Sequence, residues 1–267
     1  MTSQTDPSAA GQGPSRKERR AAERSARKSG SPLPSTSQSS GRSMWLITGA
    51  AIAIALLAIV GLVAISGGFE GDKMAAVSKP DVPAPAQELR VGRSLGDPEA
   101  PVRIDVFEDP QCPACGLYTE RIEPLLIAGP VTDGQVFLTY KDFPFIGQES
   151  LDAATAMRVA EEMEGKFWDY HQLVFHNQEG ENKGAFTLDR LADMAELLDL
   201  DREAFLAEMK DPAYLAAVQA EAAEGAALQI SSTPSVVVNG EVLTGVPEWA
   251  ALKERIAAAA NGTAGGG

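Results

Sequence analysis

Apolar residues in this chain recur with two different periods, and Gly, Pro and Asp punctuate the change from one to the other. Val102-Arg103-Ile104-Asp105-Val106-Phe107 places apolar side chains at alternate positions and predicts a strand; Gln135-Val136-Phe137-Leu138-Thr139-Tyr140 reads the same way. Over 150–164, Ala153, Ala156, Met157, Ala160 and Met163 recur at helical spacing. Residues 166–177 continue in helical period with an aromatic face of Phe167, Trp168 and Phe175. Thr187 is placed to cap a helix carrying Leu188, Leu191, Ala195 and Leu198. Asp211-Pro212 joins an N-cap to a proline at the first helical position and predicts a helix to about Leu228. Ser235-Val236-Val237-Val238, Asn239-Gly240 and Glu241-Val242-Leu243 predict a hairpin, because Asn-Gly suits a two-residue turn with positive φ. A last helix is predicted over 247–260, with Pro247 at its start. The layout is α/β, with a block of helices between the second strand and the hairpin.

A third kind of run stands apart. Met44 to Ile65 gives 22 consecutive uncharged residues rich in Ile, Leu, Val and Ala, long enough to cross a bilayer as one helix. Eight Lys or Arg precede it, and Glu70 and Asp72 follow. The positive-inside rule then predicts a single-pass anchor with the N-terminus in the cytoplasm and the rest of the chain outside. A cleaved signal peptide is the alternative, with Ala64-Ile65-Ser66 as the cleavage site. Its h-region would be too long and the segment before it unusually extended. Residues 1–43, rich in Ser, Gly, Pro and Gln, are expected to be disordered. Residues 66–87 read as a linker stiffened by Pro80, Pro83 and Pro85. The folded part is expected over 88–260, followed by a flexible tail over 261–267.

Charge sharpens this division. The 267 residues carry a formal net charge of −14. Residues 1–43 hold eight Lys/Arg and three Asp/Glu, a balance of +5; the remainder holds 15 and 34, a balance of −19. An acidic folded part lacks the basic footprint that nucleic-acid binding needs.

Cys112 and Cys115 are the only cysteines in the chain. A bridge across so short a loop removes little chain entropy and would be a weak staple, so the pair points to chemistry. It sits between the first predicted strand and a helical run, which puts Cys112 near a helix N-terminus. Unpaired N–H groups and the helix dipole there favour a thiolate, the attacking species in disulfide exchange. Delivery across a membrane brings the pair to an oxidising compartment. Thr233-Pro234 stands at the mouth of the hairpin, where a cis proline paired with an upstream CxxC would shape a binding surface.

Three segments carry a family likeness: Phe107-Glu108-Asp109-Pro110-Gln111-Cys112-Pro113-Ala114-Cys115, Gly165-Lys166-Phe167-Trp168-Asp169-Tyr170-His171 and Thr233-Pro234-Ser235-Val236-Val237-Val238-Asn239-Gly240. In these, and over about 88–258, the chain resembles the DsbA-like thiol–disulfide oxidoreductases of the thioredoxin superfamily. The resemblance implies a thioredoxin-like fold with an inserted helical domain over about 146–229. It implies Cys112 as the exposed reactive sulfur, Cys115 as the buried resolving sulfur, and Pro113 and Ala114 as residues that tune the redox potential. Pro234 would be the cis proline facing the pair. Thr233 would offer its backbone to a substrate held as an added strand. No cofactor or metal is expected beyond the redox-active Cys112–Cys115 disulfide.

Two departures from the family pattern stand out. Ala114 occupies the position where strong oxidants often carry His, which points to a weaker oxidant. Val106 occupies the position, six before the first cysteine, where many relatives bury an acid. Glu108 and Asp109 are the substitutes at hand, as proton shuttle or simply as solvated loop charges.

The expected activity is introduction of disulfides into exported, cysteine-containing proteins by a monomer held at the membrane. A DsbB-like or VKOR-like membrane protein would reoxidise the pair. A reductase or isomerase is the nearest alternative, although no dimerisation segment is evident. A zinc site of Cys112, Cys115, His171 and His176 has the wrong spacing. A redox-inert tethered module would keep its bridge closed. Phe167, Trp168 and Phe175 are expected in the helical core rather than in a peptide groove.

Overall fold

The computed structural model describes residues 74–262. The basic segment, the apolar span Met44 to Ile65, the first part of the linker and residues 263–267 lie outside the described residues. Among the described residues no helix is long and apolar enough to cross a membrane.

The strands are β1 (Arg90–Val91), β2 (Ser94–Leu95), β3 (Val102–Glu108), β4 (Val136–Asp142), β5 (Ser235–Val238) and β6 (Glu241–Thr244). They form one sheet in the order β1-β2-β4-β3-β5-β6. β3 and β4 run parallel with Val102 beside Val136 and Glu108 beside Asp142; every other pairing is antiparallel. The β3–β4 crossover carries α1 (Pro113–Arg121) and α2 (Glu123–Leu126), extended by a π-helical turn at Ile127–Val131. Five helices stand between β4 and β5: α3 (Gln148–Glu164), α4 (Phe167–His176), α5 (Leu188–Leu197), α6 (Arg202–Glu208) and α7 (Pro212–Ala227). The last helix, α8 (Trp249–Ala260), packs on β3 and β5. This is a thioredoxin-like α/β fold with inserted helices.

Local chemistry sets the boundaries. Thr187 caps α5 through Arg190 N, Asp201 caps α6 through Ala204 N, and Asp211 caps α7 through Ala213 N. Gly165 adopts φ +62° and closes α3 with bonds to the Ala160 and Glu161 carbonyls. The helical period expected to run on from 164 to 166 is therefore broken there. Asn239 (φ 47°) and Gly240 (φ 92°) turn β5 into β6. Pro247 falls outside α8, whose N-cap is Glu248.

β3 is buried on both faces at its C-terminal end. Val106 faces the main core, while Phe107 packs with Ile230 and Val237 on the other side. Glu108 follows, 1% exposed. Phe167, Trp168 and Phe175 lie in the core, as expected. The linker stretch from 74 is laid against the helices: Ser78 exchanges hydrogen bonds with Asn177, and Arg190 donates to the Ala75 carbonyl.

One charged cluster ties the sheet to the helices. Arg93, at the β1–β2 turn, bonds Asp142 (3.1 Å) and Glu221 of α7 (2.5 Å). Arg158 of α3 bonds the same two acids, at 2.6 and 3.0 Å.

Candidate functional site

The site is assembled where β3 ends and α1 begins. Cys112 is the N-cap of α1 and Pro113 its first residue, so no helical N–H is lost to the proline. The Cys112 carbonyl accepts from Cys115 N and Gly116 N. Both cysteines are thiols here. Cys112 is 8% exposed and Cys115 0%. Pro113 is exposed and Ala114 half-buried beside them. Cys112 Sγ donates to the Thr233 carbonyl at 3.4 Å, which brings the hairpin mouth onto the pair. The Thr233–Pro234 peptide is cis. Thus the structure gathers all six residues expected at the site: Cys112, Pro113, Ala114, Cys115, Thr233 and Pro234.

The two sulfurs are set apart electrostatically. Cys112 is lowered from 9.0 to about 6, first by the hydrogen bond from Cys115, then by Thr233 and the backbone N–H groups of Cys115 and Ala114. Burial opposes this without winning. Burial drives Cys115 well above its ordinary range, with Cys112 and Glu108 adding to the effect. Of the two, Cys112 is the sulfur disposed to ionise and Cys115 the one disposed to hold its proton. Alkylation of reduced Cys112 by iodoacetamide should slow only about tenfold between pH 8 and pH 5, where an ordinary thiol slows several-hundredfold. A pH-rate curve read by mass of the modified peptide checks this, and a midpoint near 9 would refute it.

The loop before Cys112 is bolted down by side chains. Asp109 is fully buried and accepts from Gln111 N, Ser150 Oγ, Phe145 N and Ile146 N. Gln178 Nε2 donates to the carbonyls of Pro110 and Cys112. Asp109 is a structural bracket and not a solvated charge. Glu108 is not a solvated charge either. Burial pushes its carboxyl well above the usual range, with Glu123 and Cys112 contributing.

Sequence reasoning missed Glu123. It lies at the first position of α2, 3% exposed, and burial raises it to about 8. Only Pro124 behind it marks the helix start; nothing local signals its burial. His171 is packed in the core, where burial lowers it to about 3. Its Nε2 nevertheless faces Glu108 Oε2 at 3.4 Å and Glu123 Oε2 at 3.9 Å. Among the described residues, Glu108, Glu123 and His171 are the one set with donor atoms all within 4.8 Å, as a divalent cation would require. All three are buried, and neither carboxyl has a Lys or Arg partner among the described residues. His176, by contrast, is exposed and pairs with Ser78 Oγ.

A family model described as Thioredoxin matches residues 89–258. The chain belongs to the thioredoxin family. Within it the chain is DsbA-like. It is 27% identical over 215 residues to a probable disulfide bond formation protein D of Bacillus cereus, covering 78% of this chain and 93% of that one. Disulfide bond formation protein D of Bacillus subtilis is 28% identical over 164 residues, 61% of this chain and 74% of that one. The crystal structure of oxidised BdbD from Bacillus subtilis superposes with a TM-score of 0.60 at 24% identity, covering 70% of this chain and 98% of that one. The DsbA-like resemblance read from the three segments holds, and the chain is a thiol–disulfide oxidoreductase.

Proposed function

We propose that this DsbA-like chain is an oxidase that introduces disulfides into exported proteins. The observation that carries the reading is the opposed tuning of the two sulfurs at one helix N-terminus. A stabilised Cys112 thiolate favours the dithiol form and makes the Cys112–Cys115 disulfide an oxidant. The contribution is largest above pH 9, is about 1 kcal/mol at pH 7, and vanishes as the pH falls through about 6.

In this mechanism a substrate thiolate attacks Cys112 Sγ and the electron pair of the broken bond goes to Cys115. Cys115 takes a proton from Glu108. A second substrate thiolate then displaces Cys112 as a thiolate, and the substrate leaves as a disulfide. Thr233 presents its backbone to a substrate held as an added strand, and Pro234 faces the pair. Pro113 and Ala114 tune the potential; with Ala114 in place of His, no imidazolium assists the thiolate. The redox group is the cysteine pair itself. The span Met44 to Ile65 anchors the chain in the cell membrane, with the catalytic part outside the cytoplasm. Tethering raises its effective concentration at a DsbB-like or VKOR-like reoxidant.

Acid quench of intact cells followed by thiol alkylation reads the state of the pair without ambiguity, because the chain has no third cysteine. The pair should be mostly oxidised, and should become reduced when the reoxidant is removed. A pair held reduced in growing cells would overturn the oxidase reading in favour of a reductase or isomerase.

A further inference from the structure

We infer that His171 and Glu123 form a proton outlet for the buried end of the redox pair, passing protons between Glu108 and a surface cavity lined by Gln172. The inference rests on the reading of Cys112–Cys115 as the redox pair.

Cys115 is fully enclosed, so the proton it gains or loses in each turnover cannot come directly from water. Glu108 is closed off as well. What lies behind it is a short chain of polar atoms. One nitrogen, His171 Nε2, stands between two carboxyl oxygens, 3.4 Å from Glu108 Oε2 and 3.9 Å from Glu123 Oε2. A proton can therefore cross from one carboxyl to the other through a single atom, with no turn of the ring. The other oxygen of Glu123 accepts from Gln172 Nε2 at 3.4 Å. Gln172 lines a cavity of about 510 Å³ at the surface, together with Thr119 and Pro124.

The surroundings hold this geometry and give it no structural purpose. Tyr140, Phe167, Trp168 and Phe175 pack around the imidazole with centroids 4.7 to 5.9 Å away and fix its orientation. Among the described residues neither Glu108 nor Glu123 has a Lys or Arg partner, unlike Asp142 and Glu221 nearby. Glu108 Oε1, His171 Nδ1, Tyr118 OH and Tyr140 OH are buried without a hydrogen-bond partner. Two unpaired buried acids beside a neutral imidazole are costly to a fold and characteristic of acid–base work. The titratable groups facing the cluster are Cys112 at the N-cap of α1, Cys115 and Tyr118 of α1, Glu123 of α2, Tyr140 of β4 and His171 of α4. Burial raises both carboxyls, Glu123 to about 8, and lowers the imidazole to about 3, which favours protonated acids beside a ring free to accept.

The steps balance. When the Cys112–Cys115 bond breaks, the Cys115 sulfur takes the electron pair and then the Glu108 proton. Glu123 gives a proton to His171 Nε2, which passes it to the Glu108 carboxylate, and Glu123 regains one from water at the cavity. Reoxidation runs the same path outward. The imidazolium forms only when a carboxylate has just formed beside it.

The test is the rate at which dithiothreitol reduces the disulfide of the full-length protein, followed by fluorescence across pH 6–10 and expressed per attacking thiolate. In the parent this rate should be flat at neutral pH and fall above about 8, where Glu123 loses its proton. Glu123→Gln should slow it about tenfold at pH 7 and abolish the fall. Its equilibrium with glutathione should not move, because Gln replaces a neutral acid. Glu123→Ala should be slow and regain rate with added formate. A parent-like rate and profile in Glu123→Gln overturns the inference. So does slowing with the alkaline fall intact and no formate rescue, which marks a structural role, and so does a stoichiometric chelatable metal at the cluster. Should Glu123→Gln fail to fold, Gln172→Leu at the cavity wall decides: severalfold slowing at unmoved equilibrium supports the outlet, and the parent rate refutes it. A parent that does not exchange with glutathione at all brings down the redox reading itself, a result separate from these.

Discussion

Replacing Cys112 by Ser should reduce disulfide exchange to the uncatalysed background, and replacing Cys115 by Ser should do so by another route. The two losses differ because the two sulfurs differ. Cys112 is the N-cap of α1, carries the lowered thiol and touches the Thr233 carbonyl. Without it no mixed disulfide forms, since a serine hydroxyl cannot join a disulfide. Cys115 is fully buried and never meets the substrate. Without it the protein has no disulfide to offer a substrate thiolate; the Cys112 thiolate can still open a disulfide of an oxidised client, and the mixed disulfide so formed has no internal thiol to release it. Cys115→Ser cells should therefore accumulate high-mass adducts on non-reducing gels that collapse on reduction; Cys112→Ser cells should show none. Cys115 also supplies the largest influence lowering Cys112, so part of the lowering should go with it. Equal adduct levels in the two variants would refute the assignment of roles.

The reactive half of this site was legible in the sequence for a physical reason. Cys112 owes its lowered thiol first to Cys115, three residues on, and in part to the N–H groups of the helix start between them, and both are local features written in adjacent residues. The Asn239-Gly240 turn and the Asp211-Pro212 cap are local in the same sense, and the strands and helices they punctuate stand where the pattern puts them. What failed to show were features too short to carry a period or decided at a distance. β1 and β2 have two residues each. α6 has seven, and its Asp201 cap is its clearest mark. The sequence leaves Glu108 open between a proton shuttle and a solvated loop charge, because the burial that decides between them comes from the cover on both faces of the sheet at that end. Glu123 and His171 meet across 48 positions of sequence, and no local rule joins them.

The buried ion cluster was equally invisible, since Arg93, Asp142, Arg158 and Glu221 come from a turn, a strand and two helices far apart in sequence. It should dominate the stability of the join between sheet and helices. Glu221→Ala should lower the unfolding free energy by about 3 kcal/mol, because it strips one of two carboxylate partners from the half-buried Arg93 and Arg158 and leaves Asp142 alone to balance both charges. Glu221 also accepts the Asp142 N–H at 2.7 Å, so a strand-end donor is orphaned as well. Burial alone would push the Glu221 carboxyl up. The hydrogen bond and charge of Arg93, the Asp142 N–H and Arg158 outweigh it and hold it well below 4.5. A depressed acid stabilises the fold above its unfolded value, so this gain is whole above about pH 5 and is lost as the pH falls further. Exchanging the whole cluster for apolar residues of similar volume should restore much of the loss, since both the charges and their burial cost disappear together. Urea titrations at pH 7 and pH 4 measure each effect: the deficit of Glu221→Ala should be several kcal/mol at pH 7 and smaller at pH 4. A deficit under about 1 kcal/mol at pH 7 would place the cluster among ordinary surface ion pairs.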